Sequence, residues 1–163
     1  MKTKVAVLIP VFKVGKDYKF LVGDEIVSGV RKTKFFGGGL KKGESILSGL
    51  TREWMEETMG IFPEQFYSDF HKYLGGSHKT KKDGAVRVYY AVFPGKYLKY
   101  VRNYGQVHPK LTGGGLFEKL DMKVIGKDEL LRLKTGGKIP DYMPEDIDFI
   151  LEQLSVNLDP YGF

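Results

Sequence analysis

From Ser45 to Met59 the chain carries no proline and one glycine, Gly49, while Leu47, Leu50 and Trp54 recur at i, i+3 and i+7. That spacing is the buried stripe of an amphipathic helix. Ser45 is placed to cap its start and Gly60 to stop it. Just upstream, Phe35 and Phe36 lead into Gly37-Gly38-Gly39 and a loop running to Gly43. A glycine-rich loop feeding one amphipathic helix demands an apolar layer for that helix to lie on, and the rest of the chain must supply it.

Strands are the material on offer. Val5–Phe12 and Tyr18–Gly23 are apolar runs joined by Lys13-Val14-Gly15-Lys16-Asp17, the pattern of a β-hairpin. Glu25–Lys34 is polar and fits no period. Phe66–Leu74 is a candidate strand after Pro63, Gly75–Gly84 an exposed basic loop, and Ala85–Phe93 a clear strand closed by Pro94-Gly95. Gly95–Leu111 resists typing. Leu116–Ile125 is expected as strand, Lys127–Leu133 as a short helix, and a last helix opens at Pro144 and runs to Val156. Early and central strands with one central and one terminal helix give an α+β chain with a mixed sheet, not regular βαβ alternation. No linker or composition shift divides it, so residues 1–163 are expected to form one domain.

Cysteine is absent, which excludes disulfide scaffolds, zinc fingers and thiol nucleophiles. A metal would have to be held by oxygen or by His71, His78 and His108, which show no ligand-like spacing. The formal net charge is +6, which favours anionic partners such as nucleotides or nucleic acid and also serves solubility. Val5–Phe12 follows two lysines but contains Pro10 and lacks a cleavage site, and no run approaches a membrane span. A cytoplasmic protein with no membrane partner is the expectation.

The chemistry concentrates between Gly38 and Ile61. Gly38 and Gly43 have the outer spacing of a phosphate-binding loop, but Glu44-Ser45 stands where that motif needs lysine. Glu53, Glu56 and Glu57 lie at i, i+3 and i+4, within about 100° of arc on one helix face. On a solvated face they would cost little. In a cleft, charges about 6 Å apart at an effective dielectric near 20 repel by about 3 kcal/mol per pair. Such a cluster calls for a cation, and oxygen donors suit Mg²⁺ or Mn²⁺.

Gly38, then five residues, Glu44, seven residues, Arg52-Glu53, two residues and Glu56-Glu57 resembles, position by position, the signature box of the Nudix hydrolases. The resemblance covers about 24 residues. It implies an α/β/α sandwich around a mixed sheet, with the box as a loop–helix–loop at the active site. It also implies hydrolysis of nucleoside diphosphates linked to another group, among them nucleoside triphosphates, nucleotide sugars, dinucleoside polyphosphates and RNA 5′ ends. Glu53, Glu56 and Glu57 would then be metal ligands, with Gly37 or Gly38 offering a carbonyl, and Arg52 would hold Glu44. The family's further glutamate corresponds to Glu118, and either Glu53 or Glu118 would be the general base.

Two departures stand out. Thr58 and Met59 both precede Gly60 where the family has one residue, and Phe36 replaces a common proline. Gly49 is expected to leave room for metal and water. Tyr97, Lys99 and Arg102 form an interleaved aromatic and basic segment that could stack a base and catch phosphates, and Lys79–Lys82 is a second basic run. The partner expected is a nucleotide or another pyrophosphate-containing small molecule. An RNA 5′ end is the alternative, as is a nucleotide-binding module without turnover, and a homodimer is compatible with the sequence.

Overall fold

The structure, a computed structural model, describes residues 3–79, 85–104 and 119–156. Among these, seven strands form one mixed sheet: β1 Val5–Val14, β2 Asp17–Val27, β3 Val30–Lys34, β4 Phe36–Gly39, β5 Leu74–Lys79, β6 Val86–Pro94 and β7 Asp121–Ile125. The main order is β3-β2-β1-β6-β5, with β4 paired to β1 and β7 to β2. β1 runs parallel to β6, and every other pairing is antiparallel.

Period-two alternation in β1 decides the layering. Ala6, Leu8 and Phe12 face one core with Leu50, Trp54, Phe62 and Phe66, while Val7, Ile9 and Val11 face a second with Leu130, Met143, Ile147 and Ile150. The first core lies under helices α1 Ile46–Thr58, α2 Glu64–Ser68 and α3 Phe70–Tyr73. The second lies under α4 Lys127–Leu133 and α5 Met143–Val156. Helices on both faces of a mixed sheet give the expected α+β class and α/β/α sandwich. No helix among the described residues is long and apolar enough to cross a membrane.

Several sequence expectations need correction. Gly37-Gly38-Gly39 is not loop but strand β4, in register with β1 from Leu8↔Phe36 to Val5↔Gly39. Gly37 sits at φ 132°, and a Cβ there would lie 2.2 Å from the Ala6 carbonyl oxygen. Only a bare backbone can pair that closely. Phe66–Leu74 is helical over α2 and α3, because Phe66 and Phe70 at i, i+4 both face the aromatic core. The strand comes next, as β5, where a loop was expected. Gly75 lets it pass the Tyr90 ring, which a Cβ would meet at 2.1 Å. Leu47 is exposed at 42%, so the buried stripe of α1 is Leu50, Trp54, Glu57 and Thr58. The untyped segment forms a 3-10 helix over Gly95–Asn103.

Candidate active site

Strand β4 delivers Gly37 and Gly38 against the second half of α1, and the side chains of Glu57 and Glu53 fill the space they leave. Ser45 caps α1 by accepting from the Ser48 amide at 3.1 Å. Gly49 does not open room for metal. A Cβ there would meet Leu40 at 2.3 Å and Glu44 at 3.2 Å, so its bareness lets the loop after β4 close onto the helix.

Arg52 organises the carboxylates. Its Nε and Nη2 donate to Glu44 Oε2 and Oε1 at 2.8 and 2.9 Å, Nη2 also to the Gly39 carbonyl at 3.0 Å. Its Nη1 donates to Glu53 Oε1 at 2.9 Å and reaches Glu56 Oε2 at 3.5 Å. This forked pairing, helped by the Lys41 amide, holds the Glu44 carboxyl down at about 2, and Arg52 is raised in return. The sequence motif and the geometry thus meet at the Arg52–Glu44 pair.

Glu53 lies over Gly38, where a Cβ would come within 2.7 Å of Oε1. Glu56 is half-exposed, and Glu57 is buried, its Oε2 accepting from the Gly37 amide at 2.7 Å. Burial pushes the Glu57 carboxyl up to about 8. Lys119 and the Gly37 amide oppose that rise, and Glu25 and Glu53 add to it. Among the described residues no three acidic or histidine side chains converge as a ready cation cage. The donors are nonetheless carboxylate oxygens, those of Glu53 and Glu56 sharing the Arg52 guanidinium and those of Glu57 set on the Gly37 amide. In donor chemistry they fit a hard divalent ion.

The extra residue in the box falls harmlessly. Met59 takes the left-handed conformation at φ 53°, with Gly60 at 65°, and their amides cap the Glu56 and Met55 carbonyls at 3.2 Å each. The insertion is absorbed in the helix exit, beyond all three glutamates.

Other expected residues are dispersed. Tyr97 is buried with its ring 4.6 Å from Phe66, so it serves the core and is withdrawn from base stacking. Lys99 and Arg102 are exposed on the 3-10 helix. Glu118 and His108 lie outside the described residues, as does most of the Lys79–Lys82 run. A cavity of about 90 Å³ flanks the glycine strand, lined by Lys34, Phe35, Gly37, Gly38, Tyr142 and Met143 among others. A larger groove of about 550 Å³, of mixed charge with Lys16, Lys19, Lys127 and Arg132 beside Asp17, Asp128 and Glu129, is lined by none of the glutamates of α1.

Sequence reasoning missed Glu25 and Lys119, both buried beneath the glycine strand. Lys119 Nζ bonds the Glu25 carboxylate and donates to the Phe35 carbonyl at 2.5 Å. A glycine inside an apolar strand run, Gly23, was the one available signal of a close approach.

No protein-family model and no curated protein matches the sequence. Solved structures do. A mutT/nudix family protein from Listeria innocua superposes with a TM-score of 0.52 at 17% identity, covering 95% of this chain and 92% of that one. A C. elegans Ap4A hydrolase in a binary complex gives 0.51 at 12% identity, covering 92% and 100%. The fold is the Nudix fold. A T. brucei MERS1–RNA complex gives 0.56 at 14% identity, covering 88% of this chain and 57% of that one. Within the Nudix fold, the Arg52–Glu44 pair and the glutamates of α1 occupy the segment that the sequence motif marks.

Proposed function

We propose that this chain is a divalent-metal-dependent Nudix hydrolase that cleaves the pyrophosphate linkage of nucleoside diphosphate derivatives. The observation that carries the proposal is the placement of Glu53 and Glu57 against the bare backbone of Gly38 and Gly37, with Arg52 bonded to Glu44, Glu53 and Glu56. The Nudix likeness of the fold and the net charge of +6 support it.

Glu53, Glu56 and Glu57 would hold Mg²⁺, with Mn²⁺ as a substitute, and a carbonyl of Gly37 or Gly38 could complete the set. The ion when bound would neutralise pyrophosphate charge and acidify a coordinated water. The chain's own residues do the rest. Arg52 keeps Glu44, Glu53 and Glu56 oriented through one guanidinium, which limits the ordering cost when a ligand arrives. The Gly37 amide fixes Glu57. Glu53, partly exposed over Gly38, is placed to accept a proton from an attacking water, a role Glu118 could share. Lys34, part-buried beside the glycine strand and paired with Glu25 at 3.4 Å, would meet a substrate phosphate only by turning from that carboxylate.

A second reading, hydrolysis at an RNA 5′ end, is favoured by the basic balance and the likeness to an RNA-bound structure. The test is a panel of nucleoside triphosphates, nucleotide sugars, dinucleoside polyphosphates and triphosphorylated RNA, with Mg²⁺ and with chelator. Metal-dependent release of phosphate or nucleoside monophosphate, lost in Glu57→Gln, supports the proposal. Binding without turnover across the panel rejects it in favour of a binding module, and turnover of RNA alone, falling steeply with salt, selects the second reading.

A further inference from the structure

Lys119 is fully buried, and a lysine is seldom buried without a built place for it. Three features make that place. Gly23, in the middle of β2, leaves a slot for the stem, since a Cβ there would lie 2.7 Å from Lys119 Cδ. The ammonium ends on the Glu25 carboxylate and the Phe35 carbonyl, and it stands 4.7 Å from the centre of the Phe36 ring. The backbone of Lys119 is also held, because the Tyr104 hydroxyl donates to its carbonyl at 2.5 Å.

What the ammonium grips is the junction where β3 becomes β4. Phe35 is the single residue between those strands, and two residues on, the Gly37 amide holds Glu57 at 2.7 Å. Displacement of the Phe35 carbonyl would therefore carry Gly37 and Gly38 with it. Glu25 takes Lys34 Nζ on its other oxygen at 3.4 Å, so the buried carboxylate has two cations and is compensated where it stands.

We propose that Lys119 is a positioning residue of the hydrolytic site, its ammonium tying the β3–β4 junction to Glu25 so that Gly37 and Gly38 meet Glu57 and Glu53 at the required height. This rests on the hydrolase proposed above, but part of its test does not. Lys119→Met keeps the stem in the Gly23 slot and removes the tether. The first readout is amide hydrogen exchange of Gly37 in metal-free protein, which needs no activity at all. Protection at Gly37 is expected to fall at least about tenfold relative to the β1–β6 amides. Mn²⁺ affinity by titration is expected to fall about tenfold, and kcat to fall with KM little changed.

A purely structural role would lower thermal stability while leaving Gly37 protection and Mn²⁺ affinity as in the wild type, and that result overturns the proposal. Glu25→Gln/Lys119→Met, which removes both charges of the fully buried pair and leaves only the part-exposed Lys34 without its carboxylate, separates positioning from charge balance and replaces the single variant if that one does not fold. The double variant is expected to recover stability but neither Gly37 protection nor Mn²⁺ affinity, and recovery of both overturns the proposal. If wild-type protein hydrolyses nothing in the panel, the hydrolase reading fails, while the exchange result still decides the tether.

Discussion

Gly37 and Gly38 are neighbours on one strand, yet a methyl group added to each meets opposite obstacles. In Gly38→Ala the new Cβ would lie 2.7 Å from Glu53 Oε1, 2.8 Å from Cδ and 3.0 Å from Oε2. Ordinary carbon contacts are near 3.5 Å, so the Glu53 carboxylate must retreat by roughly 0.8 Å. The obstacle is the end of a flexible side chain, so the fold should lose less than about 1 kcal/mol, a shift of no more than about 4 °C in Tm. The retreat pulls Glu53 off its 2.9 Å bond from Arg52. Misplacing a catalytic group by about 1 Å can cost on the order of 10²-fold in rate, and that is the expected fall in kcat, with Mn²⁺ affinity falling in parallel. Gly37→Ala is the contrast. Its Cβ would lie 2.2 Å from the Ala6 carbonyl oxygen and 2.7 Å from Val7 Cα, at φ 132°. Backbone cannot move aside, and the conformational strain alone is about 1–3 kcal/mol, so Tm should drop by at least several degrees. Calorimetry with Mn²⁺ titration separates the two. A folded Gly38→Ala protein with wild-type kcat and Mn²⁺ affinity would refute the placement of Glu53 at the reacting centre.

Three further outcomes follow from the charges. In the metal-free protein the Glu57 carboxyl sits at about 8, and a metal ligand must be deprotonated. Mn²⁺ affinity should therefore rise as pH increases towards about 8 and level off above it, with close to one proton released per ion at pH 7. Calorimetric titration in buffers of different ionisation heat reads that proton, and a pH-independent affinity would count against Glu57 as a ligand. The Glu44 carboxyl, at about 2, is depressed below its ordinary 4.5. Its pairing with Arg52 thus stabilises the fold fully above about pH 4.5 and is lost as pH falls through about 2. Replacing the fork by Arg52→Lys should raise the Glu44 midpoint by about one unit or more, read from its carboxyl carbon resonance.

The amphipathic helix, its serine cap and the hairpin before it were legible because local rules govern them. Ser45 caps an amide three residues on, and β1 alternates strictly between two cores. The glycine strand and β5 were not legible. Gly37 is in a strand only because β1 lies alongside it, and Gly75 only because Tyr90 does, and neither neighbour is near in sequence. At the site, the i, i+3, i+4 glutamates and the Arg52 fork could be read from spacing along one helix. Glu25 and Lys119, 94 residues apart, could not, because a buried lysine is stable only through partners that the fold brings from elsewhere. Tyr97 misled for the same reason. Alternation with lysines resembles a stacking surface until Phe66 is seen against its ring.

Water attack at phosphorus on the α1 glutamate cluster is tested most directly by hydrolysis in ¹⁸O-labelled water with Mg²⁺, using the panel substrate that turns over fastest. Wild-type protein should place one ¹⁸O in a phosphate product, seen as an isotope shift in the ³¹P spectrum, and chelator or Glu57→Gln should abolish the signal. Unlabelled products, or labelled product that persists with chelator and in Glu57→Gln, would contradict the account.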